Sequence, residues 1–230
     1  GPAFEGAEIS CGQRAAPGAI ERIRIDSETL EPRYRVIGIE PWSDEPGFEE
    51  KAKTVGVTGV CGSGIIEIIA EMYLAGIITE DGVINGDLAA RSPRIIGNGR
   101  TFSYLLRDGE QRLMVTQTDV RAIQLAKAAL YAGVKLLMDK QGIAHVDRIG
   151  LAGAFGSFID PKYALVLGLV PDCDLDKVKA VGNAPGTGAR MALLNRDHRR
   201  ELEDTATRIQ KLAPDPEPNF PEHFVYPMAS

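Results

Sequence analysis

Apolar positions at Ile20, Ile23 and Ile25 are interleaved with charged ones over residues 19–25, the pattern of a half-buried strand. Residues 34–39 repeat that pattern, and the intervening DSETLEP is a polar turn, so the pair predicts a hairpin. Residues 41–53 (PWSDEPGFEEKAK) read as an acidic loop, with Trp42 either packed on its own domain or held out as a contact residue. The period then changes. Ile65, Ile66, Ile69 and Met72 or Tyr73 follow helical spacing, predicting a helix from about Ser63 to Ala75 that stops at Gly76. A loop of Asp, Gly and Asn follows to Arg100. Residues 101–106 and 112–115 predict a second hairpin that turns at Asp108-Gly109.

The longest helix is predicted over residues 119–141. Thr118 caps it, Asp119 sits in its first turn, and Gly142 ends it. Val120, Ile123, Ala126 or Lys127, Leu130, Val134 and Leu137 form its apolar stripe. A strand over 148–152, a short helix over 161–167 and a strand over 178–181 come next. GNAPGTGAR (182–190) opens a last helix, highly charged from Asn195 to Lys211. The proline-rich stretch from Pro214 to Pro221 predicts an extended tail on the surface. This order gives an α/β fold, a mixed β-sheet with flanking helices, and excludes a sandwich or a bundle.

Bulk properties narrow the function. The 230 residues carry a formal net charge of −6, so free nucleic acid is not an expected partner. No apolar run approaches the ~20 residues that span a bilayer. With no charged, apolar leader at the start, the expected location is cytoplasmic. The three cysteines, Cys11, Cys61 and Cys173, include no CxxC pair, which argues against a disulfide framework or a self-contained metal site. The chain opens on Gly1-Pro2 without a methionine, so a fragment of a longer protein is expected.

Three glycine-rich loops each lead into a helix: GVCGSG (59–64), GLAGAFGSFIDP (150–161) and GNAPGTG (182–188). Glycine lets backbone N–H groups approach a ligand, and a helix N-terminus adds donors and partial positive charge. Together these suit phosphate or a nucleotide. The strand-loop DRIGLAGAFGSFIDP (147–161) is the foremost candidate. None of the loops has the Walker ending or a clean GxGxxG after a strand. The residues alone therefore leave open whether each loop binds or merely turns.

Long strings carry a resemblance to a known family. GPAFEGAEISCGQRAAPGAIERI (1–23), TGVCGSGIIEIIAEMYLAGII (58–78), TQTDVRAIQLAKAALYAGVKLLM (116–138), IGLAGAFGSFIDPKYALVLGLVPD (149–172), VGNAPGTGARMALLN (181–195) and FPEHFV (220–225) resemble the carboxyl-terminal lobe of reductive activators of corrinoid proteins. That family lies in the superfamily of acetate and sugar kinases, heat-shock chaperones and actin. The resemblance implies an actin-like, ribonuclease H-like ATPase lobe over residues 1–212, with 213–230 as an extended tail packed on its surface. It implies ATP and Mg as cofactors of the full-length protein and a [2Fe–2S] cluster on an amino-terminal ferredoxin-like domain. Neither that domain nor the first lobe, with the DxGTN motif that precedes GPAFEG in relatives, is in this sequence. The implied activity is ATP-driven reduction of a cobalt(II) corrinoid protein to cobalt(I) for methyl transfer, with the corrinoid protein as partner and a homodimer as a possible assembly. This chain alone is expected to be inactive.

The same resemblance implies site residues. Gly153, Ala154, Phe155 and Gly156 would pass under the nucleotide, with Ser157 near its sugar. Gly62, Ser63 and Gly64 would lie near the nucleotide, and Glu67 would reach the ribose. Gly1 would belong to a turn facing the terminal phosphate. Glu5 either orients water or magnesium there, as a catalytic residue, or caps a helix start. Asn183 approaches the adenine side or serves as a turn residue. Cys61, at a position where related dehydratase activators hold a bridging cluster, lacks a suitably spaced partner and reads as a small buried thiol. Thr116, Gln117 and Asp119 either face a lobe interface or cap their helix. Arg14 is a candidate for phosphate or partner. The corrinoid protein would dock on this body, with the acidic loop from Trp42 to Glu50 as one candidate surface. Two other readings stand beside this one: a non-catalytic docking module for a corrinoid methyltransferase partner, and a small-molecule kinase lobe.

Overall fold

The computed structural model describes residues 8–212 and 220–225. The predicted hairpin forms from β1 (Ala19–Ile25) and β2 (Pro32–Val36), antiparallel with Ile23 opposite Tyr34, its second strand starting two residues before the predicted 34 and ending three short of 39. Its turn holds Leu30 at φ 62°, rare for a branched residue. The Leu30 amide donates to the Asp26 carbonyl at 2.8 Å, and the Tyr104 hydroxyl donates to the Leu30 carbonyl at 2.9 Å. Those bonds, and complete burial of the Leu30 side chain, hold the conformation in place.

The acidic stretch is not all loop. α1 (Phe48–Val55) forms in it because Phe48 and Ala52, four residues apart, turn one face inward while Glu49 and Glu50 occupy the first turn. The Phe48 ring meets Tyr34 edge-on at 5.7 Å. β3 (Gly59–Val60) then pairs parallel with the start of β1, giving a mixed sheet of order β2-β1-β3. α2 (Gly62–Leu74) matches the predicted helix and is buried along most of its length.

The stretch expected to loop as far as Arg100 also contains structure: a 3₁₀ turn over Gly86–Ala90, then β4 (Ile95–Asn98). β4 pairs with β5 (Thr101–Arg107), which pairs with β6 (Leu113–Thr116), in a second, antiparallel sheet. α3 (Gln117–Gln141) begins two residues earlier than predicted. Its cap is Thr116, not Thr118: the Thr116 hydroxyl accepts from the Asp119 amide, and the Asp119 carboxylate accepts from the Thr116 amide. Val120 and Ile123 are buried as expected, but Leu130 and Leu137 are about half exposed. Ala128, Ala132 and Leu136 line the buried face instead, a stripe rotated from the predicted one.

The remaining elements are β7 (Ile149–Leu151), α4 (Pro161–Val166), β8 (Val178–Ala180), α5 (Ala184–Leu194) and α6 (Arg196–Arg208). β7 and β8 pair in parallel as a third sheet. The single charged helix expected at the end is two helices. Asn195 breaks it at φ −132°, and its side chain accepts from the amides of Asp197 and His198 to cap α6. In place of a wholly extended tail, residues Phe220–Val225 form α7, whose His223 ring pairs with Asp139 of α3 at 2.7 Å. Three small sheets with helices around them make this an α/β fold. The core runs from Ile20 and Ile23 through Phe48, Ile65, Ile66 and Met72 to Tyr104 and Val120, and among the described residues its buried members in the last third are Tyr163, Ala164, Leu167 and Leu169. No helix among the described residues is long and apolar enough to cross a membrane.

Candidate functional site

Two of the three glycine loops meet because their strands are paired. β7 and β8 run parallel with Leu151 opposite Ala180, so both chains leave the sheet at the same carboxyl end. That end is where ligands gather in parallel α/β sheets. The Val181 amide continues the ladder to the Leu151 carbonyl at 3.0 Å, and the Gly153 amide donates to the Gly182 carbonyl at 2.9 Å. Gly153 turns at φ 100°, which disfavours any side chain there. Gly156 is buried, and a Cβ on it would stand 3.2 Å from the Leu151 carbonyl carbon. The loop closes on itself: the Ser157 amide and hydroxyl both donate to the Gly153 carbonyl, at 3.1 and 2.8 Å.

The resulting shelf is open. Ala154, Phe155, Asn183 and Ala184 are exposed, and Phe155 and Phe158 present 39% and 57% of their surface. α5, which rises from the shelf, buries no residue although it carries Met191, Leu193 and Leu194. Its first donors are already used. The Asn183 side chain accepts from the Gly186 amide at 3.1 Å, the Ala184 amide donates to the Gly182 carbonyl, and Pro185 has no N–H. A phosphate therefore finds few free donors at this helix start. What the shelf leaves exposed is the Phe155 ring and glycine backbone rather than a cluster of free amides.

The first glycine loop lies apart from these two and reaches them through Glu67. α2 begins without a side-chain cap, so its opening amides at Gly62, Ser63 and Gly64 lack the usual partner. Cys61 is buried, with its sulfur 3.4 Å from the Ser63 hydroxyl. Gly64 packs against the β1 backbone, where a Cβ would come within 2.5 Å of the Ile20 carbonyl. One turn further on, Glu67 is fully buried and committed within the chain. Its Oε1 accepts from Arg22 at 2.7 Å, and its Oε2 accepts from Arg24 at 2.6 Å and from the Ile23 amide at 2.9 Å. Arg22 also donates to the Phe158 carbonyl at 2.8 Å, tying α2 to the second glycine loop. A sugar hydroxyl would have to compete with two arginines for this carboxylate. Glu67 is therefore placed to position the loop rather than to contact a ribose.

Glu71, one turn beyond, follows the same rule. Its Oε2 accepts from the Ile25 amide at 2.8 Å, and its Oε1 accepts from the Tyr163 hydroxyl of α4. Glu67 and Glu71 thus satisfy the edge of β1 where β3 stops, two carboxylates standing in for a missing strand. Burial, and then the Glu71 carboxylate, push the Tyr163 hydroxyl above the usual tyrosine range. The signal in the sequence was two glutamates four residues apart in an otherwise apolar helix.

Other candidates resolve into structural roles. The Asp119 carboxylate, 1% exposed, accepts from the amides and hydroxyls of both Ser10 and Thr116, so it ties residues 8–14 to the start of α3. Gln117 holds the loop before the second sheet, donating to the Gly82 carbonyl and accepting from the Ile84 amide. Burial, and then the nearby Asp119 charge, push the Cys11 thiol up to about 12. Trp42 is partly buried between Arg33 and Arg24, whose guanidinium carbons lie 4.7 and 6.0 Å from its ring. Arg14 is exposed. Gly1 and Glu5 lie outside the described residues. Among the described residues no three His, Cys, Asp or Glu side chains gather as a metal site, and the cysteines present do not fit an iron–sulfur cluster.

Comparison with known proteins gives the site its context. The family model described as the C-terminal domain of RACo, the ASKHA domain, matches residues 1–230. The chain is 36% identical over 209 residues to the corrinoid activation enzyme RamQ of Eubacterium limosum, covering 86% of this chain and 32% of that protein. It is 27% identical over 221 residues to the [Co(II) methylated amine-specific corrinoid protein] reductase of Methanosarcina barkeri, covering 91% of this chain and 36% of that one. A solved reductive activator for corrinoid, iron-sulfur protein superposes with a TM-score of 0.81 at 33% identity, over 98% of this chain and 34% of that one. The chain therefore spans about a third of the length of these relatives.

Proposed function

The chain belongs to the family of C-terminal ASKHA domains of RACo, and from that premise we propose that it is the nucleotide-binding lobe of an ATP-dependent reductive activator that reduces a cobalt(II) corrinoid protein to cobalt(I). The observation that carries the reading is the convergence of the 150–161 and 182–188 loops on one open shelf at the carboxyl end of a parallel strand pair. Gly153, Ala154, Phe155 and Gly156 form its floor, with Ser157 and Asn183 at its sides. Gly62, Ser63 and Gly64 supply amides from the start of α2, which Glu67 and Arg22 tie to the shelf at Phe158. The shelf is half of a site, and a second lobe would cover the apolar side of α5.

Coupling follows from that geometry. ATP held between two lobes favours one lobe orientation, and a partner that prefers that orientation is bound and released in step with the nucleotide. ATP and Mg act in the full-length protein, and a [2Fe–2S] cluster on another domain supplies the electron. A soluble cytoplasmic location and a possible homodimer belong to the same reading. The test is cobalt(I) formation by the full-length protein, followed by absorbance under anaerobic conditions with a low-potential electron donor. The expected outcome is cobalt(I) accumulation only with ATP and Mg; equal yields without nucleotide would remove the coupling.

A further inference from the structure

The β1–β2 hairpin carries four arginines on one face. Its register sets Arg22 opposite Arg35 and Arg24 opposite Arg33, two like-charged cross-strand pairs in succession. Neighbours in such pairs stand about 5 Å apart, and like charges there destabilise a hairpin unless they are neutralised. Neutralisation is partial. Arg22 and Arg24 share the single buried carboxylate of Glu67, and Arg33 reaches only Asp44, at 3.6 Å and half exposed. Arg35 has no ion-pair partner among the described residues, and its Nε is buried without an acceptor. The nearby acids are taken: Glu31 by Arg94, Glu40 by Lys51, Glu49 by Arg107, and Glu45 by the Trp42 amide.

The face is also prepared for contact. The guanidinium carbons of Arg33 and Arg24 lie over the Trp42 ring at 4.7 and 6.0 Å, and that of Arg24 lies over Tyr163 at 5.1 Å. A guanidinium over a ring face gains cation–π attraction, and donors it does not spend within the chain remain for a carboxylate. Tryptophan and arginine dominate the energetics of protein interfaces. The side chains of Arg22, Arg24 and Arg33 are 29%, 36% and 51% exposed, so this is a broad face on an edge strand, fit for a macromolecular surface. In a chain of net charge −6, it concentrates positive charge at one place.

We propose that an acidic surface of the corrinoid protein docks here, its carboxylates engaging Arg33 and Arg35 beside Trp42. This rests on the function proposed above and moves the docking site from the acidic segment after Trp42 to the basic face before it. Arg22, through its bond to the Phe158 carbonyl, joins this face to the nucleotide shelf.

The test is the dissociation constant between the full-length protein and its corrinoid protein, measured by calorimetry at several salt concentrations. Arg33→Ala/Arg35→Ala is expected to weaken binding about tenfold or more and to flatten its salt dependence, with ATP affinity unchanged. Arg33→Ala alone, at an exposed site, is expected to give part of that loss without a folding defect. Unchanged affinity and salt slope in both variants, with wild type binding, would overturn the docking site and leave the proposed function standing. Absence of wild-type binding would overturn both. Inorganic phosphate binding to wild type at low millimolar concentration, lost in the double variant, would reassign the face to a small oxyanion and overturn the docking proposal.

Discussion

From β1 through α3, every strand and α-helix turns at least one side chain into the core, whereas α5 and α6 turn none. The first region is a closed body whose buried carboxylates, Glu67, Glu71 and Asp119, are all matched to donors. The second region holds the β7–β8 pair, two glycine loops and helices that leave Met191, Leu193, Leu194 and Leu202 in solvent. The chain thus builds its core almost wholly from the first region, while α5 and α6 contribute nothing to it. Substitutions should separate the two regions by what they damage.

The largest effect is expected at Glu67. Glu67→Ala strands Arg22, Arg24 and the Ile23 amide, and removing one side of a buried ion pair costs about 3 kcal/mol or more. Urea denaturation should show that loss, and the thermal midpoint should fall by on the order of 10 °C. A change under 1 kcal/mol would mean the carboxylate is not what holds the β1 edge. Asp119→Ala, which frees the amides and hydroxyls of Ser10 and Thr116 and removes the α3 capping box, is expected to cost about 1–3 kcal/mol by the same assay.

Alkaline pH probes the closed region from another side. The folded pKa of Cys11 is raised, so above pH 9 the unfolded chain loses a proton that the native chain keeps. Stability is then fully present below about pH 9 and falls as pH rises towards about 12. Tyr104 and Tyr163, both raised by burial, add to the loss in the upper part of that window. Cys11→Ala should flatten the early part of the decline in a pH series of denaturation curves. An unchanged profile would place Cys11 in contact with solvent.

The open region should respond differently. Gly153→Val places a branched residue at φ 100°, where nothing stands within 4 Å of its Cβ, so its cost is backbone strain of about 1–3 kcal/mol. Its larger effect should be on ATP, with affinity of the full-length protein reduced at least tenfold. Leu193→Ser/Leu194→Ser should change the stability of the isolated chain by no more than about 0.5 kcal/mol per site, since both side chains are at least three-quarters exposed. In the full-length protein the same pair should cost several times more, if a second lobe covers α5.

The contrast also sorts what the sequence revealed. β1, α2, the β5–β6 hairpin, α4 and β8 were legible because each couples a clear period to burial or a glycine or proline boundary. α1 has the sequence of a loop because only Phe48 and Ala52 are buried and most of the rest is charged or polar. β4 was missed because Ile95 is its sole buried residue, between a proline and two glycines. The second half of α3 rotates its buried face onto alanines, a stripe that leucine spacing could not show. At the site, the loops are legible from glycine alone, and their pairing is not, because it depends on a parallel contact between residues 29 positions apart, Leu151 and Ala180. The ribose role of Glu67 is implied by the resemblance; the arginines that claim it lie 45 and 43 residues earlier, and no local pattern links them.

Nucleotide is expected on the open shelf of the second region and at the opening amides of α2. Hydrogen exchange of the full-length protein with and without ATP and Mg tests it directly. Slowed exchange is expected at residues 59–64, 150–161 and 182–188, with the amides of β5 and β6 unchanged. ATP binding that leaves all three loops exchanging at their free rate would contradict it.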